Sequence, residues 1–229
     1  MIYEEILRDL NSMENRKTKD IDRYDKGLIR AKEDVSCLKD YALVNPLVHR
    51  TYFQVSLGKM KDMEDQFRFI EENEDLLQDW WHVDQLTQFL RKPLDFEFAF
   101  SKAKRYVNSS KPFVRRWGYV LFLTGLQKDK DHTAAILSLM KDDSEYYVQM
   151  GEAWLIADLA VFNADEVVRF IETSCLKYNI IGKAIQKICD SYRIAPELKA
   201  YLRSLRGELK GTGRTTQYGQ SYAGKFKKG

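Results

Sequence analysis

The run Asp79-Trp80-Trp81-His82-Val83-Asp84 concentrates aromatic, imidazole and carboxylate groups more densely than any other part of the chain. If the segment is helical, Trp80 and Asp84 are four residues apart and project from one side, a single turn from each other. An indole face attracts positive charge through its ring quadrupole, and a carboxylate attracts it by Coulomb's law. The pair therefore suits a cationic base or a sugar cation. The same spacing also fits a purely structural arrangement, with Trp81 and Val83 in the core, Trp80 stacked on a neighbouring repeat and Asp84 capping or pairing. Other chemistries lack their residues. His49, His82 and His132 stand singly in the sequence, and there is no HExxH, no Cys/His cluster, no GxxxxGK[ST] and no GxSxG. Cys37, Cys175 and Cys189 are odd in number without a CxxC spacing, so buried free thiols are expected, and no metal site.

The elements that must carry these residues are helices. The 4 prolines, Pro46, Pro93, Pro112 and Pro196, each stand where a helix could begin, since a first turn needs no N–H from them. After each one, apolar residues recur at steps of three and four, as in Val114, Trp117 and Leu121. The segments 112–126, 146–160 and 179–193 align with one another, and Val114, Val148 and Ile181 fall 34 and 33 residues apart. A second helix is expected after each, at 132–143, 164–176 and 196–206, with Asp131 and Asn163 as N-caps. Fainter hairpins are expected at 45–73 and 79–107. One hairpin cannot bury its own apolar stripe, so neighbours must stack. The fold class expected is all-α: a HEAT-like helical-repeat solenoid forming a single domain over 1–206, with 1–44 as N-terminal capping helices. Residues 207–229 hold 6 of the 12 glycines and read as a flexible basic tail.

No apolar stretch approaches the roughly 20 residues that cross a bilayer, so a soluble, cytoplasmic protein is expected, and a monomer because HEAT-like solenoids are commonly self-sufficient. The net charge of +3 is unevenly spread: residues 177–229 carry 12 Lys and Arg against 3 Asp and Glu, the remainder 25 against 31. A basic end offers a surface to phosphate, with affinity that falls as salt rises. It fits a solvated tail equally well.

In chain order, Trp80-x-x-x-Asp84, then Phe113-Val114-Arg115-Arg116, then Tyr147-Val148-Gln149 with Trp154, then Lys183 to Ile188 with Ser191-Tyr192-Arg193 resemble the AlkD-like DNA alkylation repair family of HEAT-like repeat DNA glycosylases. The resemblance covers about residues 75–206. It implies excision of N3- and N7-alkylated purines without inserting the base into a pocket, with the lesion handled along a concave surface. It further implies that Asp84 stabilises the oxocarbenium-like sugar and positions water while Trp80 and Trp154 pack against the deoxyribose. Arg115, Arg116, Lys183, Lys187 and Arg193 would contact double-stranded DNA, damaged or branched, Arg116 by holding a phosphate. No cofactor is implied, because the alkylated base already leaves readily.

Three departures set the chain apart from that family pattern. Met150 and Ala157 flank Trp154 where basic residues are usual, Glu152 adds an acid to the same helix, and the stretch before Trp80 lacks the DNA-facing helix rich in Gly and Arg. A non-catalytic paralogue that binds DNA or serves as a scaffold therefore stands beside the glycosylase as an alternative.

Overall fold

The computed structural model describes residues 3–13 and 17–211. These residues form thirteen α-helices linked by turns and short 3-10 segments, with no strand among them. They belong to two compact units, Met1–Pro93 and Leu94–Gly229.

The first unit contains α1 (Tyr3–Ser12), α2 (Thr18–Ala31), α3 (Pro46–Lys59), α4 (Met63–Glu72), α5 (Trp80–Asp84) and α6 (Leu86–Phe89). Its centre is α3, which begins where the Asn45 side chain accepts the N–H groups of Leu47 and Val48, with Pro46 in the first turn. Val48, Phe53, Val55 and Leu57 are buried along it, and α2 and α6 pack against it. By contrast α1 buries only Ile6 and Leu10, a narrow stripe on a polar helix. Together, α5 and α6 are nearly one helix: Gln85 between them keeps helical angles, and the Thr87 hydroxyl donates to the Asp84 carbonyl.

The second unit contains α7 (Phe96–Tyr106), α8 (Pro112–Val120), α9 (Thr133–Leu137), α10 (Tyr146–Phe162), α11 (Ala164–Thr173), α12 (Tyr178–Asp190) and α13 (Pro196–Gly211). Here the hairpin repeat is plain. The first helices α8, α10 and α12 lie side by side with α10 in the middle, while α11 packs on α10 and α9, and α13 on α12. Being flanked twice, α10 buries Val148, Leu155, Ile156, Leu159 and Ala160, and exposes Trp154 along with Tyr146 and Tyr147 at its start. Each buried Leu or Ile contributes about 1.5–3 kcal/mol, so this middle helix anchors the unit. Glycine is required at 118: an added Cβ would stand 2.9 Å from the backbone nitrogen of Val107, so α8 could not approach the end of α7.

Several sequence expectations are corrected by local chemistry. Pro93 does not begin a helix; its peptide with Lys92 is cis, and α7 starts only at Phe96, where Asp95 accepts the N–H of Phe98. The helix expected over 132–143 is cut to Thr133–Leu137, following 3-10 turns around Gly125, whose φ of 131° favours glycine. Asp131 is not an N-cap; Asp129 accepts its N–H instead. Asn163 sits at the cap position of α11, but its side chain donates to the Lys130 carbonyl. Cys37 and Cys175 are exposed and Cys189 is half-buried. Residues 207–211, expected in the tail, form the last turn of α13, where Leu209 is buried; residues 212–229 of the expected tail lie outside the described residues.

Candidate functional site

Trp80 and Asp84 occupy the two ends of α5. The helix opens where the Asp79 carboxylate accepts the Trp80 N–H at 2.6 Å. Val83 is fully buried and Trp81 half-buried, whereas Trp80 is 44 % exposed and Asp84 half-buried. The buried residues anchor the helix, and its spacing sets the indole and the carboxylate one turn apart.

What fixes so short a helix is a pair of histidines that the sequence left singly placed. His49 of α3 and His82 of α5 stack with ring centroids 3.8 Å apart and planes 9° from parallel. Their tautomers follow from their partners. The Leu76 carbonyl can only accept, so His49 Nε2 carries a proton and donates to it at 3.1 Å. Nδ1 of the same ring then accepts from Gln85 Nε2 at 2.9 Å. His82 Nδ1 accepts the Gln78 backbone N–H at 3.1 Å. Burial drives the His49 ring down to about 3, with the neighbouring His82 adding to the effect, and burial lowers His82 as well. Both rings are therefore neutral at pH 7. Trp81 closes the group, standing edge-on to His82 at 4.0 Å and to His49 at 5.1 Å. Behind them, Arg50 donates to Gln85 Oε1 at 3.4 Å and to Asp22 at 2.6 Å. The signal in the sequence is the spacing of His49 and His82, 33 residues, which is the repeat length.

The remaining candidates lie in the second unit, where their surroundings divide them. Arg115 forms a two-pronged pair with Asp143, at 2.6 and 3.0 Å, and donates to the carbonyls of Ser109 and Ser110. The Arg116 guanidinium is buried beneath Gly151 and donates to the Tyr147 carbonyl. These two arginines tie α8 to the start of α10 and are not presented to a phosphate. Arg193 is half shared, since it pairs with Asp158 at 2.8 Å and stands 5.8 Å from the Phe162 ring centre. Trp154 is 37 % exposed on α10, one turn before Asp158. Lys183 and Lys187 are exposed one turn apart on the neighbouring α12. The departures also take a different meaning here. Ala157 is in the core, and Glu152 is fully buried with one oxygen accepting the Lys141 N–H, so it does not face a polyanion. Burial pushes the Glu152 carboxyl up to about 8.

Among the described residues no group of three or more His, Cys, Asp or Glu is placed to hold a metal, and no helix is long and apolar enough to cross a membrane. A model of a family described as DNA alkylation repair enzyme matches residues 48–188. No curated protein and no solved structure matches the chain.

Proposed function

The chain belongs to the DNA alkylation repair enzyme family, and on that premise we propose that it is a monofunctional glycosylase for cationic N3- and N7-alkylpurines in duplex DNA. The observation that carries the reading is an exposed indole one turn from a carboxylate on a helix locked from behind. An alkylpurine bears positive charge. As its bond to C1′ breaks, the electron pair leaves with the base, which becomes neutral, and the positive charge passes to the sugar. Asp84 stabilises that sugar cation and orients the water that adds to C1′ with loss of a proton. Trp80 packs against the deoxyribose, an arrangement that needs an open face and not a closed base pocket. In the second unit Trp154 offers a comparable stacking face, and Lys183 and Lys187 take the phosphate contacts. Arg115 and Arg116 are left out of this role because their guanidinium groups are already engaged.

That loss of two cations favours one other reading, a protein of this family that binds DNA without cutting the glycosidic bond. The two separate on lesion chemistry. Duplexes containing 7-methylguanine or uracil are incubated with the protein and the free base is measured. The proposal predicts release of 7-methylguanine alone, because a neutral base keeps its bond. Release of neither base from duplexes that the protein binds establishes the binding-only reading.

A further inference from the structure

Even run on through Gln85 into α6, the helical stretch from Trp80 to Phe89 is too short to sustain itself, because nucleating a turn fixes several dihedrals for one hydrogen bond and isolated helices below about 12–15 residues are marginal. Contacts beyond its own turn must hold it, and five contacts made by His49, His82 and Arg50 do. Before the helix, His49 holds the Leu76 carbonyl and His82 holds the Gln78 N–H. Within it, the His82 ring lies flat on His49. After it, Gln85 is held by His49 Nδ1 on one amide atom and Arg50 on the other. The ring of His49 is thus the point where the supports before, within and after α5 meet, and it is fully buried.

We infer that His49 is a positioning residue: through its stack on His82 and its hydrogen bonds to Leu76 and Gln85, it sets the orientation in which α5 presents Trp80 and Asp84. The inference rests on the reading that this pair acts on DNA, but the fixing of the helix is tested independently of that reading. His49 acts on Trp80 and Asp84 by removing the freedom of their backbone. A neutral ring with one donor and one acceptor is needed, since Leu76 offers only an acceptor while Gln85, oriented by Arg50, offers only a donor.

The full-length chain is compared with its His49→Ala and His49→Gln variants by hydrogen exchange of amides 78–87 and by single-turnover release of 7-methylguanine at saturating protein. A glutamine can donate to Leu76 and accept from Gln85, restoring the hydrogen bonds without the ring. His49→Ala should speed exchange across 78–87 by roughly tenfold and leave exchange in α10 and α12 unchanged. It should slow base release by at least a comparable factor while duplex affinity changes less than about twofold, and His49→Gln should recover part of both losses. If His49→Ala does not fold, Gln85→Ala removes the partner of His49 Nδ1 together with the Arg50 contact, leaves the Leu76 bond and the ring stack in place, and should loosen the same amides by a smaller factor. Unchanged exchange over 78–87 overturns the inference. So does faster exchange with an unaltered release rate, because α5 would then be held by His49 to no catalytic purpose. If the wild-type chain releases no base, the glycosylase reading is lost, and the exchange measurement alone decides whether His49 fixes α5.

Discussion

Asp143 is almost wholly buried, and Arg115 supplies its two ion-pair contacts while reaching the carbonyls of Ser109 and Ser110. Removing one partner of such a pair leaves an uncompensated buried charge, so Arg115→Ala should lower the stability of the second unit by about 3 kcal/mol. Urea unfolding measures this, and a loss below about 1 kcal/mol would mark the pair as no stronger than a surface one. The two arginines carry the lesson of this scale. The family resemblance implied phosphate contacts for them, yet what an arginine does depends on which carboxylate and carbonyl oxygens the fold brings to it, and Asp143 lies 28 residues away. That Trp80 and Asp84 stand one turn apart on a helix was legible, because the spacing lies within one short segment. The His49–His82 stack was not, because it forms across helices and only its repeat-length spacing hints at it.

The docking of α2 on α3 depends on a carboxyl that is fully buried. Asp25 accepts from the Thr51 hydroxyl at 2.9 Å through one oxygen, and its other oxygen has no partner among the described residues. Burial raises this group to about 7; Thr51 and the Arg50 charge pull it down, and Asp22 pushes it up. The folded value lies above the ordinary 3.8, so the folded chain binds this proton more tightly than the unfolded chain does. The contribution is fully present below about pH 4 and is lost as pH rises through 7, at up to about 1.4 kcal/mol per unit. Asp25→Asn should therefore flatten the fall in stability of the first unit between pH 4 and 7, measured as urea midpoints across that range. A midpoint that falls as steeply in the variant would place the titration elsewhere. Elements themselves were largely readable. Pro46, Pro112 and Pro196 each open a helix, and the repeated apolar ridges gave α8, α10 and α12. The reading failed where three- and four-residue periodicity ran on through a break, as at Gly125 before α9, since backbone conformation there and not apolar spacing ends the helix.

At the scale of the molecule, the all-helical repeat and the family were legible because periodicity and ordered motifs recur over most of the chain. Charge adds a further test. Lys183 and Lys187 are exposed and make no ion pair among the described residues, so together they should account for part of the salt dependence of duplex binding. Replacing both by alanine should flatten the slope of log affinity against log salt by about 2, because each phosphate neutralised contributes about 0.9. An unchanged slope would remove α12 from the DNA contact surface. The central claim, that Asp84 stabilises the sugar cation formed as the base departs, is tested most directly by single-turnover release of 7-methylguanine from duplex DNA by the wild-type chain and by Asp84→Asn, at protein concentrations that saturate the DNA in both. The account predicts release by the wild type and a loss of roughly a hundredfold or more in the variant, with duplex affinity preserved. Equal rates of release would contradict it.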